Sequence, residues 1–294
     1  MNKKLLKMVI FGLAFMMIAN QFGFSQAVVE TETQRSNKVE EIVNLSVGTP
    51  IDESVVIAAA DGIVDKYAVI IGISDYSVVS DLSYCDEDAS DWYNYLAPLG
   101  YQITLLGDGS NQYPVPIDGL ATEYNMKQAV ANILAVADED DVIVYATSGH
   151  GTESKVGRGR TATYQQLICA WDYGVGENGE DGKLFDYEFA QMWAPAVSNV
   201  FIFIDHCFSG GMNELFDNPN ADCFYMTTTC TADGYGYDMS VYENGKWTYW
   251  YLEAGLIGQG YTDLHDCYVW AHANYDFNQD KDEPLEFGVA DFTL

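Results

Sequence analysis

A thiol and an imidazole stand at corresponding places in this chain: His150 in Ser148-Gly149-His150-Gly151, and Cys207 in Asp205-His206-Cys207-Phe208-Ser209-Gly210-Gly211. Each cluster follows a short apolar run, Val142-Ile143-Val144-Tyr145-Ala146 and Val200-Phe201-Ile202-Phe203-Ile204, with the composition of a buried strand. A thiol is a strong nucleophile as its thiolate, and an imidazole on the next strand end supplies the base that generates it. Taken singly, a cysteine after an apolar run reads as a small packed hydrophobe, and a lone histidine says as little. Placed at two strand ends with glycines beside both, they read as a Cys/His dyad in open turns, where the backbone can approach a ligand closely. The amides of Gly151 and Cys207 then face a developing oxyanion.

The elements that must position this pair follow from hydrophobic periodicity. Strands are expected over 67–73, 101–106, 142–147, 200–204 and 224–229. Between them, Ala89, Trp92, Tyr93 and Leu96, and then Met126, Ala129, Val130, Ile133, Leu134 and Ala137, recur at helical spacing. Two further helices are expected over 249–258 and 262–274, the second capped by Thr262. Strands alternating with helices, the strands continuously apolar, imply an α/β fold with a mostly parallel sheet covered on both faces. Active sites of such sheets lie beyond the strands' C-terminal ends, where both His150 and Cys207 fall.

At these residues the chain resembles the caspase-like cysteine peptidases, and within that clan the metacaspases. Tyr67-Ala68-Val69-Ile70-Ile71-Gly72-Ile73 is similar to the family's first strand, and Cys85-Asp86-Glu87-Asp88-Ala89 to its Cys-x-x-Asp-Ala segment. The His and Cys motifs follow in the family's order, 57 residues apart. The Asp-x-Cys-x-Ser-Gly-Gly lettering departs from the Gln-Ala-Cys-x-Gly of animal caspases. The resemblance runs from Tyr67 to the C-terminus and weakens after Thr231. It implies a caspase-like α/β/α sandwich and a cysteine endopeptidase in which Cys207 attacks the carbonyl and His150 acts as general base and acid. No third, orienting carboxylate is evident. The resemblance further implies that Asp88 and Asp205 bind a basic P1 side chain, so that cleavage follows Arg or Lys. It calls for no cofactor in the chemistry and leaves calcium open as an activator. A legumain-like, Asn-selective peptidase and a catalytically silent interaction module share the topology and stand as alternatives.

The 294 residues carry 44 Asp and Glu against 13 Lys and Arg, a formal charge of −31. Such a surface repels nucleic acid and favours basic partners or divalent cations, unless the charge serves only solvation. Lys3, Lys4 and Lys7 precede an apolar stretch over 8–19 and the small residues Ser25 and Ala27, the layout of a signal peptide over 1–27. Its loss would leave a formal charge of −34. The expectation is an exported, monomeric peptidase acting on peptides or proteins, with no stable membrane insertion once the leader is gone. Residues 28–66 read as a linker or pro-segment, with an apolar patch at 55–60 that could add an edge strand, and residues 67–294 as the peptidase domain.

If Cys207 stays a thiol, Cys85, Cys169, Cys223, Cys230 and Cys267 allow at most two disulfides; Cys169 and Cys230 read equally well as buried thiols. The run from Asp276 to Asp282 begins like a calcium loop but has Lys281 and Phe287 where glycine and an acid belong, and reads better as a solvated acidic loop. His265 and His272 lack partners at zinc spacing and read as surface or boundary residues; residues 172–186 read as a polar loop. Trp247, Tyr249, Trp250 and Tyr251 read as core or pocket wall. The one basic cluster of the domain holds Lys155, Arg158 and Arg160 among glycines and reads as an exposed loop, either a self-cleavage site or merely flexible. N-terminal sequencing of the exported protein should begin near Ala27 or Val28; an intact Met1 in a soluble cytoplasmic protein would refute the leader.

Overall fold

The computed structural model describes residues 60–158, 162–276, 280–288 and 292–294. The expected leader, most of the linker with nearly all of its apolar patch, Arg160, and the middle of the 276–282 run lie outside the described residues.

Seven strands form the central sheet: β1 (Lys66–Gly72), β2 (Gln102–Gly107), β3 (Gly119–Leu120), β4 (Val142–Ser148), β8 (Asn199–Asp205), β9 (Phe224–Thr228) and β12 (Leu285–Gly288). Their order is β12-β9-β8-β4-β1-β2-β3, and every pair is parallel except β9 with β12. β1, β4 and β8 are apolar along nearly their whole length because both faces are covered. Alternate residues feed two cores. Val69, Ile71, Ile143, Tyr145, Val200 and Ile202 face one side, where helices α2 (Glu123–Leu134) and α3 (Asp186–Trp193) pack with Met126, Val130, Phe189 and Trp193. Ala68, Ile70, Val144, Ala146, Phe201 and Phe203 face the other, under α1 (Cys85–Leu96), the π-helix Tyr249–Gln259 that continues α4 (Lys246–Thr248), and α5 (Leu264–Asn274). The expected α/β/α sandwich is the observed one.

Several local expectations are corrected. The α5 cap is Asp263, whose carboxylate accepts from the Asp266 N–H at 2.8 Å; Thr262 stands one residue too early. The 172–186 segment is no simple loop, since it ends in β7 (Lys183–Phe185) and the first residue of α3. A second sheet, β5-β6-β7 with β5 (Gly151–Val156) and β6 (Thr163–Cys169), was not evident in sequence because its outer halves are polar. Lys155 therefore belongs to a strand, paired with Tyr164, and Arg158 lies in the bend that follows it. Asp282 is buried and accepts the Tyr237 hydroxyl at 2.8 Å, so the 276–282 run is more than a solvated loop. All six cysteines are free thiols, with Cys169 and Cys230 buried. Two short strands, β10 (Asp238–Met239) and β11 (Asn244–Gly245), form a hairpin after β9. Among the described residues no helix is long and apolar enough to cross a membrane.

Candidate active site

Register decides where the chemistry goes. Gly72 pairs with Ser148, and Ser148 with Asp205, so the three form one row across β1, β4 and β8 on the α1 side of the sheet. His150 and Cys207 each stand two residues beyond that row. Equal offsets on parallel neighbours carry the imidazole and the thiol to adjacent tips. The backbones meet there: a Cβ on Gly151 would lie 2.0 Å from the Cys207 carbonyl oxygen, so only glycine permits this approach. Phe208 follows the thiol with φ of 62°, a left-handed turn rarely taken by an aromatic residue, and opens a 3₁₀-helix over Ser209–Asp217.

The His150 peptide is held on every side. Its N–H donates to the Tyr76 hydroxyl at 2.7 Å, and its carbonyl accepts from Cys169 N–H at 2.9 Å. Nε2 lies 2.8 Å from the Ser80 carbonyl oxygen; a carbonyl only accepts, so Nε2 carries the proton and Nδ1 is left as the basic nitrogen. The orienting group that sequence did not supply as a carboxylate is thus a backbone carbonyl.

The two expected pocket acids converge. Gly72 again makes this possible, because a Cβ there would lie 2.1 Å from the Cys85 carbonyl oxygen, and its absence lets the first turn of α1 settle over the row. Asp88 then accepts from Ser148 Oγ at 2.5 Å and from Gly245 N–H at 2.9 Å. Asp205 Oδ2 accepts from the N–H and the hydroxyl of Thr248, both at 3.0 Å, while Oδ1 has no hydrogen bond of good geometry. A Cβ on Gly245 would meet Asp205 Oδ2 at 2.4 Å and Asp88 Oδ2 at 2.7 Å, so both carboxylates face one point. Burial pushes the Asp88 carboxyl well above the usual carboxylate range, and the neighbouring Asp205 adds to it. Burial likewise raises Asp205, against the Thr248 hydrogen bonds that favour its charged form. Asp238 flanks the pair, and burial lifts its carboxyl to about 6.

The open turns expected around the dyad are absent: Cys207 is 1% and His150 3% exposed. Residues 231–248 cover the site. Cys207 Sγ donates to the Gly236 carbonyl at 3.7 Å, and Phe208 N–H donates to that of Gly234 at 2.9 Å. The cover is tied down by Ser83 N–H on Asp238, an ion pair of Lys281 with Asp233, and the Lys246 ammonium on the Asp276 carbonyl. Ser148, Tyr76, His206, Gly245 and Asp238 were missed in sequence. The equal two-residue offsets of Ser148 from His150 and of Asp205 from Cys207 were the available signal for Ser148.

Of the self-cleavage candidates, Lys155 is the penultimate residue of β5 and Arg158 lies in the bend after it, both exposed. At the acidic run, the Asp276 backbone carbonyl accepts from the Lys246 ammonium and the Asp282 carboxylate from the Tyr237 hydroxyl. The cluster of Glu123, Glu180 and Glu188 already surrounds the Lys127 ammonium at 2.7–3.2 Å. The more exposed trio Asp61, Asp138 and Asp140 offers oxygen ligands alone, which suits a hard cation.

The raised pKa of Asp205 has a consequence for stability. As pH rises above its unfolded value, the unfolded chain releases a proton that the folded one retains, so folding is progressively disfavoured until the folded group also ionises. Asp205→Asn keeps an acceptor for Thr248 and removes the buried charge. Its urea midpoint should exceed that of the wild type at neutral pH, with the gap closing as pH falls toward ~4, the ordinary Asp value. A variant less stable than wild type at neutral pH would overturn this.

The comparisons with known proteins converge on one family. Residues 66–216, just over half of the chain and including both motifs, match the family model "Metacaspase, peptidase C14 domain". The chain is 26% identical to Metacaspase-1 of Mycosarcoma maydis over 155 residues, covering 51% of this chain and 37% of that protein. It is 28% identical to Metacaspase-4 of Arabidopsis thaliana over 153 residues, covering 50% and 34%. The matches thus span little more than a third of each relative's length. In fold it is similar to the crystal structure of protein GSU0716 from Geobacter sulfurreducens, with a TM-score of 0.59 at 17% identity over 77% of this chain and 95% of that one. With the two motifs, the sheet that carries them and the family match in agreement, this chain belongs to the metacaspase family of peptidase C14 domains.

Proposed function

We propose that the chain is an exported, monomeric cysteine endopeptidase that cuts peptide bonds after Arg or Lys. The observation that carries the reading is the placement of His150 and Cys207 at equal offsets beyond the paired residues Ser148 and Asp205, in a chain of the metacaspase family. His150 Nδ1 takes the Cys207 proton, the thiolate attacks the substrate carbonyl, and the amides of Gly151 and Cys207 hold the oxyanion. The same imidazole then protonates the leaving amine, and water releases the acyl group. The stretch around Gly234 and Gly236, which lies on Cys207 and Phe208, must move before a substrate reaches the thiol. Asp88 and Asp205 support the specificity: two carboxylates facing one desolvated point hold a cation far better than a neutral side chain. A bound Arg or Lys would also favour the charged forms of both acids. Calcium stands as an activator outside the chemistry, and no step above depends on it.

Cys207→Ala and His150→Ala should each abolish hydrolysis of a fluorogenic peptide panel that varies only P1, run with and without calcium, and Cys207→Ala should also lose labelling by thiol-directed inhibitors. Full activity in the Cys207 variant would remove the peptidase reading. Within the panel, Arg and Lys should lead, and Asp205→Ala should cost ~2–4 kcal/mol in kcat/KM on those substrates. Preference for Asn or Asp would overturn the pocket assignment.

Self-processing at the basic hairpin is part of the same reading. Mass spectrometry of incubated protein should find cuts after Lys155, Arg158 or Arg160 in the wild type and none in Cys207→Ala. An uncut but fully active wild type would reject it.

A further inference from the structure

The residue before the nucleophile is a second imidazole, and it lies between the two strand tips. His206 is 1% exposed, and both ring nitrogens are engaged: Nδ1 lies 2.8 Å from the His150 carbonyl oxygen and Nε2 2.9 Å from Thr147 Oγ1. The carbonyl accepts only, so Nδ1 carries the proton and Nε2 accepts from the Thr147 hydroxyl. The ring also fills the space beside the glycines of the His150 motif. A Cβ on Gly149 would come 3.1 Å from His206 Cε1, and one on Gly151 3.1 Å from His206 Cβ. Its backbone is anchored in turn, since the Cys230 thiol donates to the His206 carbonyl at 3.4 Å.

Burial holds the His206 ring neutral, lowering its pKa to about 4; the hydrogen bond to the His150 carbonyl works against this and the nearby His150 ring works with it. A neutral ring suits a place beside a base that must become a cation during the reaction.

We propose that His206 is a positioning residue for the peptidase reaction: its Nδ1–H ties the tip of β8, which carries Cys207, to the carbonyl of His150 at the tip of β4, and so keeps the base aligned with the thiol. This rests on the Cys207/His150 dyad proposed above. The Tyr76 hydroxyl and the Cys169 amide hold the His150 peptide to the loop after β1 and to β6. Among these partners His206 belongs to the segment after β8 that carries the nucleophile; it adds to the backbone tie of Gly149 N–H to the Asp205 carbonyl at 3.4 Å, so losing it loosens the two tips against each other. A displacement of about 1 Å between reacting groups is worth on the order of 100-fold in rate.

The test uses full-length protein with active sites titrated. It measures kcat and KM for an Arg substrate and the pH dependence of the second-order rate of Cys207 alkylation by iodoacetamide. The titratable groups facing the pair are Tyr76, Cys230, Tyr237 and Asp205. Burial raises Tyr76 and Tyr237 and lifts Cys230 to about 12, so these stay protonated through the neutral range, while Asp205 is common to every variant. The inflection therefore reports the thiol and its imidazole.

His206→Ala should lower kcat by about 10- to 100-fold with KM changed less than about threefold, and should move the alkylation inflection upward by about one pH unit. His206→Asn, whose amide can donate from the Nδ1 position, should recover most of both; His206→Gln, which reaches toward the Nε2 position, should not. Wild-type kcat and an unmoved inflection in His206→Ala would overturn the proposal. So would equal losses in the Asn and Gln variants with an unmoved inflection, the mark of lost packing alone. If His206→Ala does not fold, the Asn and Gln pair decides by the same criterion. Activity surviving in His150→Ala would instead remove the dyad itself, whatever the His206 variants do.

Discussion

The hydrogen-bonded ladder that sets Ser148 opposite Asp205 is the interaction on which the rest of the site depends. Parallel strands with continuous apolar faces have one register that buries both sets of side chains, since a shift by one residue would exchange the two cores. Phe203 against Trp92 and Tyr251, and Tyr145 against Phe189 and Trp193, lock that register from opposite faces. Once it is locked, residues at equal distance past the ladder become neighbours, and the thiol and imidazole need no further device to bring them to the same place. The remaining contacts refine orientation, which costs far less than bringing distant groups together.

The acid pair shows the opposite economy. Two carboxylates withdrawn from water beside each other oppose folding, and in this state they are met by hydroxyls and amides from Ser148, Gly245 and Thr248 rather than by a cation. Lys246 is itself buried in the neighbouring cover, but its ammonium turns to the Asp276 carbonyl and lies 4.2 Å from the centre of the Tyr275 ring. The chain thus keeps its own lysine engaged elsewhere while leaving the acids to neutral donors.

The cover over Cys207 is made of polar ties at its edges and glycines at its middle. Gly234 lets the backbone lie against that of Lys281, Gly236 and Gly245 let it lie against the acids, and the ties to Ser83, Lys281 and Asp282 are single hydrogen bonds or ion pairs. Such contacts are individually weak, unlike the aromatic packing that fixes the sheet beneath and, through Trp247, the far end of the cover. The site therefore combines a rigid floor with a cover that is lightly tied over the thiol and firmly packed at Trp247 and Thr248.

Much of this was legible in the letters. Apolar runs of five to seven residues, each ending in a glycine-bearing reactive motif, identified the strands that carry His150 and Cys207, because burial on both faces leaves no choice of residue type. Helical spacing likewise identified α1 and α2. Tertiary structure alone decided the rest. The second sheet is half polar and prints no period, α3 has eight residues and too few turns to show one, and the roles of Ser148, Ser80 and His206 depend on contacts between segments far apart in sequence. Burial of the dyad was likewise beyond the sequence. Glycines next to a reactive residue permit either an open turn or the close approach of another segment, and only the folded chain shows that residues 231–248 take up that space.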